Sequence, residues 1–230
     1  GDTLWTKLTA WKKGSREAGS YAAFPVVVSC DEIDPYIAYR LIEPGYENWH
    51  DMGLYQRELA SYRETPIVTN QVNNRGCVNC HNFDAGNPSR YLFHARGTGG
   101  GTVFVNGDDV KLINLTRIGV GMQGVYPAWH PDGRYLVLSS NKTYQRFSIA
   151  DSQPIEVFDQ YSDLIYLDTA TDSTYRVPGA AEPDRLETFP AWSGDGETLY
   201  FCSAVGDTVN CEDRADIHYA LQSLKFKDGK

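Results

Sequence analysis

The sequence predicts an all-β chain assembled from four-stranded units, and three observations carry that expectation. One pattern occurs twice: Val125–Asn141 reads VYPAWHPDGRYLVLSSN and Thr188–Ala204 reads TFPAWSGDGETLYFCSA, aligned without a gap. Most of the remaining chain is short apolar runs bounded by Gly, Pro, Asn and Asp clusters, the punctuation of strands and hairpins. Aromatic residues are abundant, with 15 Tyr and 5 Trp, and such residues favour the half-buried surface of a pleated sheet.

Taken in order, DTLWTKLTAWKK near the start predicts a short helix or an extended arm. YAAFPVVV (Tyr21–Val28) is strand-sized, and Cys30 just after it is expected as a buried strand residue. PYIAYRLIEPGYENW (Pro35–Trp49) supplies material for one further, degenerate unit. Over Asn48–Glu64, Met52, Leu54, Tyr55, Leu59 and Tyr62 fall on one amphipathic face, which predicts a helix. Asn87–Leu115 holds three strands, with GTGGG (Gly97–Gly101) and NGDD (Asn106–Asp109) as the turns between them.

The two matching segments state their own geometry. Pro127 and Pro190 open a strand where no ladder donor is needed. Trp129 and Trp192 can cover the gap between neighbouring sheets, and Asp132-Gly133 and Asp195-Gly196 supply the left-handed backbone of a tight turn. RYLVLSS and ETLYFCS then return as strands, followed by SDLIYLDTATDSTYRV (Ser162–Val177) after the first unit and ADIHYALQSL (Ala215–Leu224) after the second. Four strands per unit, repeated, describe the blades of a β-propeller; a sandwich would not place the same aromatic-Pro-x-Trp…Asp-Gly sequence twice. The expected division is an N-terminal region over 1–74, with one or two short helices, and repeats over 75–230 (about 82–118, 122–180 and 185–230).

YPAWHPDGRYLVLSS resembles the TolB-like family of WD-type propeller repeats, whose core reads P-x-W-S-P-D-G before an apolar strand. His130 stands where that pattern has Ser, and Gly194 where it has Pro. The resemblance covers about Phe83 onward and implies a propeller that binds protein partners at one end. Such propellers usually close six blades or more. Three units leave the arc open, so the N-terminal region is expected to add degenerate blades, or the chain to stop before the ring closes.

A net charge of -9 removes the electrostatic attraction on which nucleic-acid binding depends. No run reaches the roughly 18 apolar residues that span a bilayer. The sequence opens GDTLW without Met, as a chain with its leader removed would.

Cys77, Cys80 and His81 stand as C-x-x-C-H. At this spacing two thiols can join the two haem vinyl groups while the adjacent imidazole binds iron, which predicts haem c. The alternatives are a disulfide or bare thiols, or zinc, which lacks a second C-x-x-C. Thioredoxin-like chemistry lacks its βαβ setting. Met122 and His94 are nearest in sequence as the other axial ligand, with Met52, His50, His130 and His218 also available. Cys202 and Cys211 flank SAVGDTVN, and a hairpin there would close them as a disulfide; otherwise they pack as reduced apolar residues. The combination resembles exported bacterial proteins that carry C-x-x-C-H ahead of TolB-like repeats, which implies a periplasmic or cell-surface setting and no particular reaction.

Three functions are therefore expected to compete. The first is an extracytoplasmic haem protein for electron transfer or redox sensing. The second is a haem-free binding module for an envelope protein or glycan. The third is a saccharide-cleaving enzyme, for which no catalytic constellation is identified: there is no G-x-S-x-G elbow and no carboxylate spacing that singles out an acid–base pair.

Overall fold

In the computed structural model the described residues are 2–42, 52–97, 99–113, 115, 124–147, 155–206 and 217–227. They form strands and two short 3₁₀ turns, and the chain divides into two compact units.

The first unit comprises Gly1–Ile37 and Arg57–Arg63. β1 (Thr3–Thr6) pairs with β4 (Phe24–Val27), and β2 (Thr9–Trp11) with β3 (Ala18–Ser20), all antiparallel. Of the two readings of DTLWTKLTAWKK, the extended arm is the one found. Thr3, Thr6 and Thr9 are β-branched and stiff at χ1, which favours the pleated conformation over a helix. Cys30 is exposed rather than buried, because β4 ends at Val27.

The second unit comprises Ala38–Gln56 and Glu64–Lys230. β5 (Tyr36–Ile42), β6 (Met52–Glu58) and β7 (Glu64–Thr69) form a three-stranded sheet in that order. The helix expected over Asn48–Glu64 is therefore replaced, from Met52 onward, by two strands. The residues assigned to one helical face separate: Met52 and Leu54 are 3% and 1% exposed, whereas Leu59 and Tyr62 are 52% and 89% exposed. Burial at 52 and 54 follows the two-residue period of a strand.

The first blade is β8 (Val78–Phe83), β9 (Arg90–Ala95), β10 (Gly101–Asn106) and β11 (Asp109–Ile113), each pairing with the next. The second is β12 (Val125–Trp129), β13 (Tyr135–Phe147), β14 (Ile155–Asp168) and β15 (Ser173–Arg176). The third holds β16 (Arg185–Trp192), β17 (Thr198–Val205) and β18 (Ala220–Lys225). A single parallel pair, Ser162 with Leu186, joins the second blade to the third.

Three apolar layers lie between successive sheets. Leu54 meets Val78, Phe93 and Val105 in the first. Leu92 and Phe104 meet Leu136, Leu138, Ile165 and Leu167 in the second. Tyr135, Val137, Leu164 and Tyr166 meet Leu199 and Phe201 in the third. Neighbouring residues of β13 and β14 thus serve opposite layers, so each strand is buried on both faces while its side chains alternate. This face-to-face stacking of small meanders is propeller-blade architecture.

The tryptophans interlock the inner strands. Trp192 Nε1 donates to Ala128 O at 3.1 Å, and Trp129 Nε1 donates to Asn82 O at 3.4 Å. The Asp-Gly turns repeat the same relation: a Cβ at Gly133 would lie 2.7 Å from Asp84, and one at Gly196 2.4 Å from His130 Nε2. His130 Nε2 donates to Gly196 O at 3.0 Å, so the residue standing in for Ser is a blade-to-blade contact. Gly196 also has φ +74°, where any Cβ is strained. Gly196→Ala is expected to cost about 2 kcal/mol. Gly194→Ala, with nothing within 4 Å of its Cβ, should cost under about 0.5 kcal/mol. Chemical denaturation of the two variants checks the difference.

Candidate functional site

Each blade begins with the same bulged strand. The ladder slips between Asn79 and Asn82, between Val125 and Ala128, and between Thr188 and Ala191. One residue in each bulge adopts the left-handed backbone: Cys80 (φ 51°), Tyr126 (φ 50°) and Phe189 (φ 54°). Cys-His-Asn-Phe is therefore the first blade's counterpart of Tyr-Pro-Ala-Trp and Phe-Pro-Ala-Trp. Left-handed backbone is costly for a non-glycine residue and concentrates where a side chain must be aimed.

Here the three side chains are aimed toward shared surroundings. The Tyr126 and Phe189 rings lie 4.3 Å apart, and both are partly exposed. Burial pushes the Cys80 thiol up, against the Tyr126 backbone N–H and the Arg96 guanidinium, which favour its thiolate. Burial likewise pushes the Tyr126 hydroxyl up, assisted by the charges of Asp159 and Cys80. Tyr219 is pushed up to about 12, first by burial and then by Asp159, Cys202 and Tyr126.

Arg96 follows β9 directly. Its backbone N–H donates to Cys77 O at 2.7 Å, and Asn73 Nδ2 donates to Arg96 O at 2.9 Å. Gly76 is required there, because a Cβ would meet Arg96 O at 2.0 Å. Asn141 and Asp159 flank a second bulge, at Lys142–Thr143 in the long β13–β14 hairpin. Asn141 Nδ2 donates to Asp159 Oδ1 at 3.0 Å. Burial pushes the Asp159 carboxyl up to about 6, while Asn141 and Arg96 pull it down.

Two polar atoms of this group are buried without a partner among the described residues, Arg96 Nε and Asn141 Oδ1. Arg40, whose charge acts on Cys80 and His81, forms no ion pair among the described residues. Native structures leave few such groups.

His81 is directed elsewhere. It stands edge-on to Phe83 at 6.2 Å, two residues along the same face of β8, and hydrogen-bonds the Ala38 backbone. Burial lowers its pKa, against that hydrogen bond. A c-type haem takes both thiols along one porphyrin edge with the imidazole beneath the iron, so all three must face one side. Cys80 faces Tyr126 and Arg96, His81 faces Ala38 and Phe83, and the Arg40 charge acts on both. Cys77, Cys80 and His81 are the residues that would hold a haem, the thiols at its vinyl groups and the imidazole at its iron.

His94 is 2% exposed, with Nδ1 3.1 Å from Thr102 Oγ1. Burial, and then the Arg96 charge, lowers its pKa to about 4. It is a neutral core residue tied to the inner strand of the next blade, since Thr102 Oγ1 donates to Gly124 O at 2.9 Å. Met52 lies beside the motif, its Sδ accepting from Val78 N at 3.4 Å. Met122 and Cys211 lie outside the described residues; Cys202 is half-buried in β17, opposite Thr188 and Leu221. No group of three His, Cys, Asp or Glu side chains suited to a metal ion occurs among the described residues.

A separate groove runs along the inner strands, a cavity of about 450 Å³ lined by Asn82, Phe83, Pro127, Trp129, Pro190 and Trp192 among others. It follows the interlocked openings and holds none of the unpaired polar atoms.

Sequence reasoning missed Arg40, Arg96, Asn141 and Asp159. One signal was available: CHNF aligned beneath YPAW would have exposed Cys80 as a bulge residue.

No family model and no curated protein matches the chain. Among solved structures, TolB from Acinetobacter baumannii is similar at TM-score 0.46 and 13% identity, over 78% of this chain and 36% of that one. Oligogalacturonate lyase from Vibrio parahaemolyticus is similar at TM-score 0.35 and 11% identity, over 73% of this chain and 59% of that one. The chain thus spans about a third of the first and under two thirds of the second. Likeness at this level transfers no activity, and the blades described above stand on their own hydrogen bonding.

Proposed function

We propose that this chain is a propeller-type binding module of the bacterial envelope, periplasmic or at the cell surface, that receives a protein or glycan partner at the bulged ends of its inner strands. One observation supports this above others. The same strained bulge occurs three times, bearing three different side chains, and buried polar groups of Arg96 and Asn141 lack partners among the described residues. A bulge kept only for sheet geometry would not need Arg96 and Asn141 unsatisfied beside it. The envelope setting follows the resemblance to exported TolB-like proteins. No helix among the described residues is long and apolar enough to cross a membrane.

The test is retention. Immobilised protein is challenged with envelope extract and with a glycan array, alongside a Tyr126→Ala/Phe189→Ala variant. Both rings are partly exposed, so the variant should melt within a few degrees of the parent while retention falls at least about tenfold. Equal retention by both proteins would sink the reading. Protein matured with haem-attachment machinery should show no covalently retained Soret band; such a band would assign Cys77, Cys80 and His81 to haem instead.

A further inference from the structure

We propose that the N-terminal hairpin, residues 2–28, is an arm that lies in the interface of an anionic phospholipid surface, a contact separate from the partner received at the bulged ends. The hairpin is one ribbon of two strands. β1 pairs with β4 and β2 with β3, while Tyr21 N donates to Leu8 O and Val28 N to Asp2 O, each at 2.9 Å. It has no core. Every residue from Asp2 to Ile37 other than Thr6 is exposed, with Trp5 at 70% and Trp11 at 69%. Folded chains seldom leave so much contiguous apolar surface uncovered, and where they do it marks an interaction site.

The ribbon is apolar on both faces. Cross-strand partners share a face, and neighbours along a strand alternate. Trp5 and Val27 therefore lie on one face of the β1–β4 pair, and Leu4, Phe24 and Val26 on the other. All five are exposed. A sheet that packs on a protein surface buries one face and shows a polar one to water. A lipid interface surrounds the ribbon and covers both. The two outer edges carry backbone groups with no ladder partner among the described residues, so the hydrated headgroup level suits the ribbon and the hydrocarbon core does not.

Charge selects the lipid. Lys7, Lys12, Lys13 and Arg16 outnumber Asp2 and Glu17 in this hairpin, giving +2 within a chain of net charge -9. The remainder of the chain carries the acid excess that an anionic surface repels, and the hairpin carries the opposite sign. None of the four cations forms an ion pair among the described residues. Lys12, Lys13 and Arg16 stand at the turn, directly after Trp11, where Ser15 N donates to Lys12 O at 2.9 Å. Aromatic rings at headgroup level, with long cationic side chains reaching phosphate, are the composition of interfacial segments. A protein groove would have to supply acids for the same cations as well as apolar walls for two faces.

Flotation of the whole chain with lipid vesicles tests this. Vesicles of phosphatidylglycerol and phosphatidylcholine in equal parts should retain the protein, and vesicles of phosphatidylcholine alone should bind it at least about tenfold more weakly. Trp5→Ala/Trp11→Ala should lower binding to the anionic vesicles about tenfold or more. Lys7→Gln/Lys12→Gln/Lys13→Gln should erase most of the preference for them, at about fivefold per lysine. All five side chains are exposed, so both variants should melt as the parent does. Salt at about 1 M, which needs no substitution, should release the parent from the anionic vesicles. A parent that floats with neither vesicle, or a tryptophan variant that binds as the parent does, overturns the proposal. If the parent ignores vesicles and instead captures a protein from envelope extract through Trp5 and Trp11, the arm docks protein and the lipid is wrong. None of these outcomes moves retention through Tyr126 and Phe189, so this proposal and the binding-module reading fail separately.

Discussion

Trp192→Ala should destabilise the second unit by about 3 kcal/mol, the lower end for truncating a large aromatic because the ring is only partly buried. The indole lies 4.7 Å from His130 and 4.7 Å from Phe226, both edge-on, and donates Nε1 to Ala128 O at 3.1 Å. It therefore joins its own blade to the inner strand of the preceding one. Trp129 makes the corresponding contacts less closely. Its ring lies 5.8 Å from Phe104 with Arg90 above it at 4.9 Å, and its hydrogen bond to Asn82 O is 3.4 Å. Trp129→Ala should accordingly cost less. Trp192→Phe keeps most of the ring surface and loses the donor, so about 1 kcal/mol is expected. Chemical denaturation ranks the three variants. Hydrogen exchange should show the loss at β12 and β16 before β9 and β10. A Trp192→Ala protein within 0.5 kcal/mol of the parent would mean that the blades hold together without the indole, and the repeated Pro-Ala-Trp would lose its physical explanation.

The blades were legible because their determinants are local and periodic. Asp-Gly marks a turn, Pro opens a strand, and alternation in RYLVLSS declares two faces, so β12–β13 and β16–β17 follow from residues a few positions apart. The span Met52–Glu64 was misread because Met52, Leu54, Tyr55, Leu59 and Tyr62 satisfy a helical period by count. What decides the conformation is a non-local partner: a Cβ at Gly53 would lie 2.6 Å from Val68 O, an approach that only sheet pairing explains. The pentapeptide was legible as a string but not as a geometry. Which way Cys80 and His81 point depends on a bulge, and the bulge becomes visible only through the two other blades. Arg96, Asn141 and Asp159 carry no spacing of their own. Arg96 follows β9 while Asn141 and Asp159 lie within β13 and β14, so no single window of sequence contains all three.

The unit should lose stability as pH rises from about 4 to 7, and Glu187→Gln should remove most of that loss. Glu187 is 1% exposed, and its Oε2 has no partner among the described residues. Its Oε1 lies 3.8 Å from Arg185 Nε, which donates to Ser203 Oγ at 2.8 Å instead. Burial first, and then the charge of Asp163, pushes the Glu187 carboxyl up to about 7. Asp163 is itself raised by burial, with Arg176 opposing. An unfolded chain releases the glutamate proton near pH 4.3. Between there and about 7 the folded chain retains a proton that the unfolded chain has lost, so the native state is favoured below this window and loses its advantage across it. The full difference is on the order of 3 kcal/mol. Asp159, raised to about 6, adds a loss of the same sign, so the slope should shrink in the variant without vanishing. Glutamine keeps the shape and removes the charge. Arg185 is left without its acid, which matters little for a side chain 32% exposed that retains Ser203. At pH 8 the variant should be about 2 kcal/mol more stable than the parent, and at pH 4 the two should coincide. A constant offset between them at both pH values would show that the buried carboxyl is not what titrates, and the layer between the second and third blades would then tolerate an ionised Glu187 at no cost.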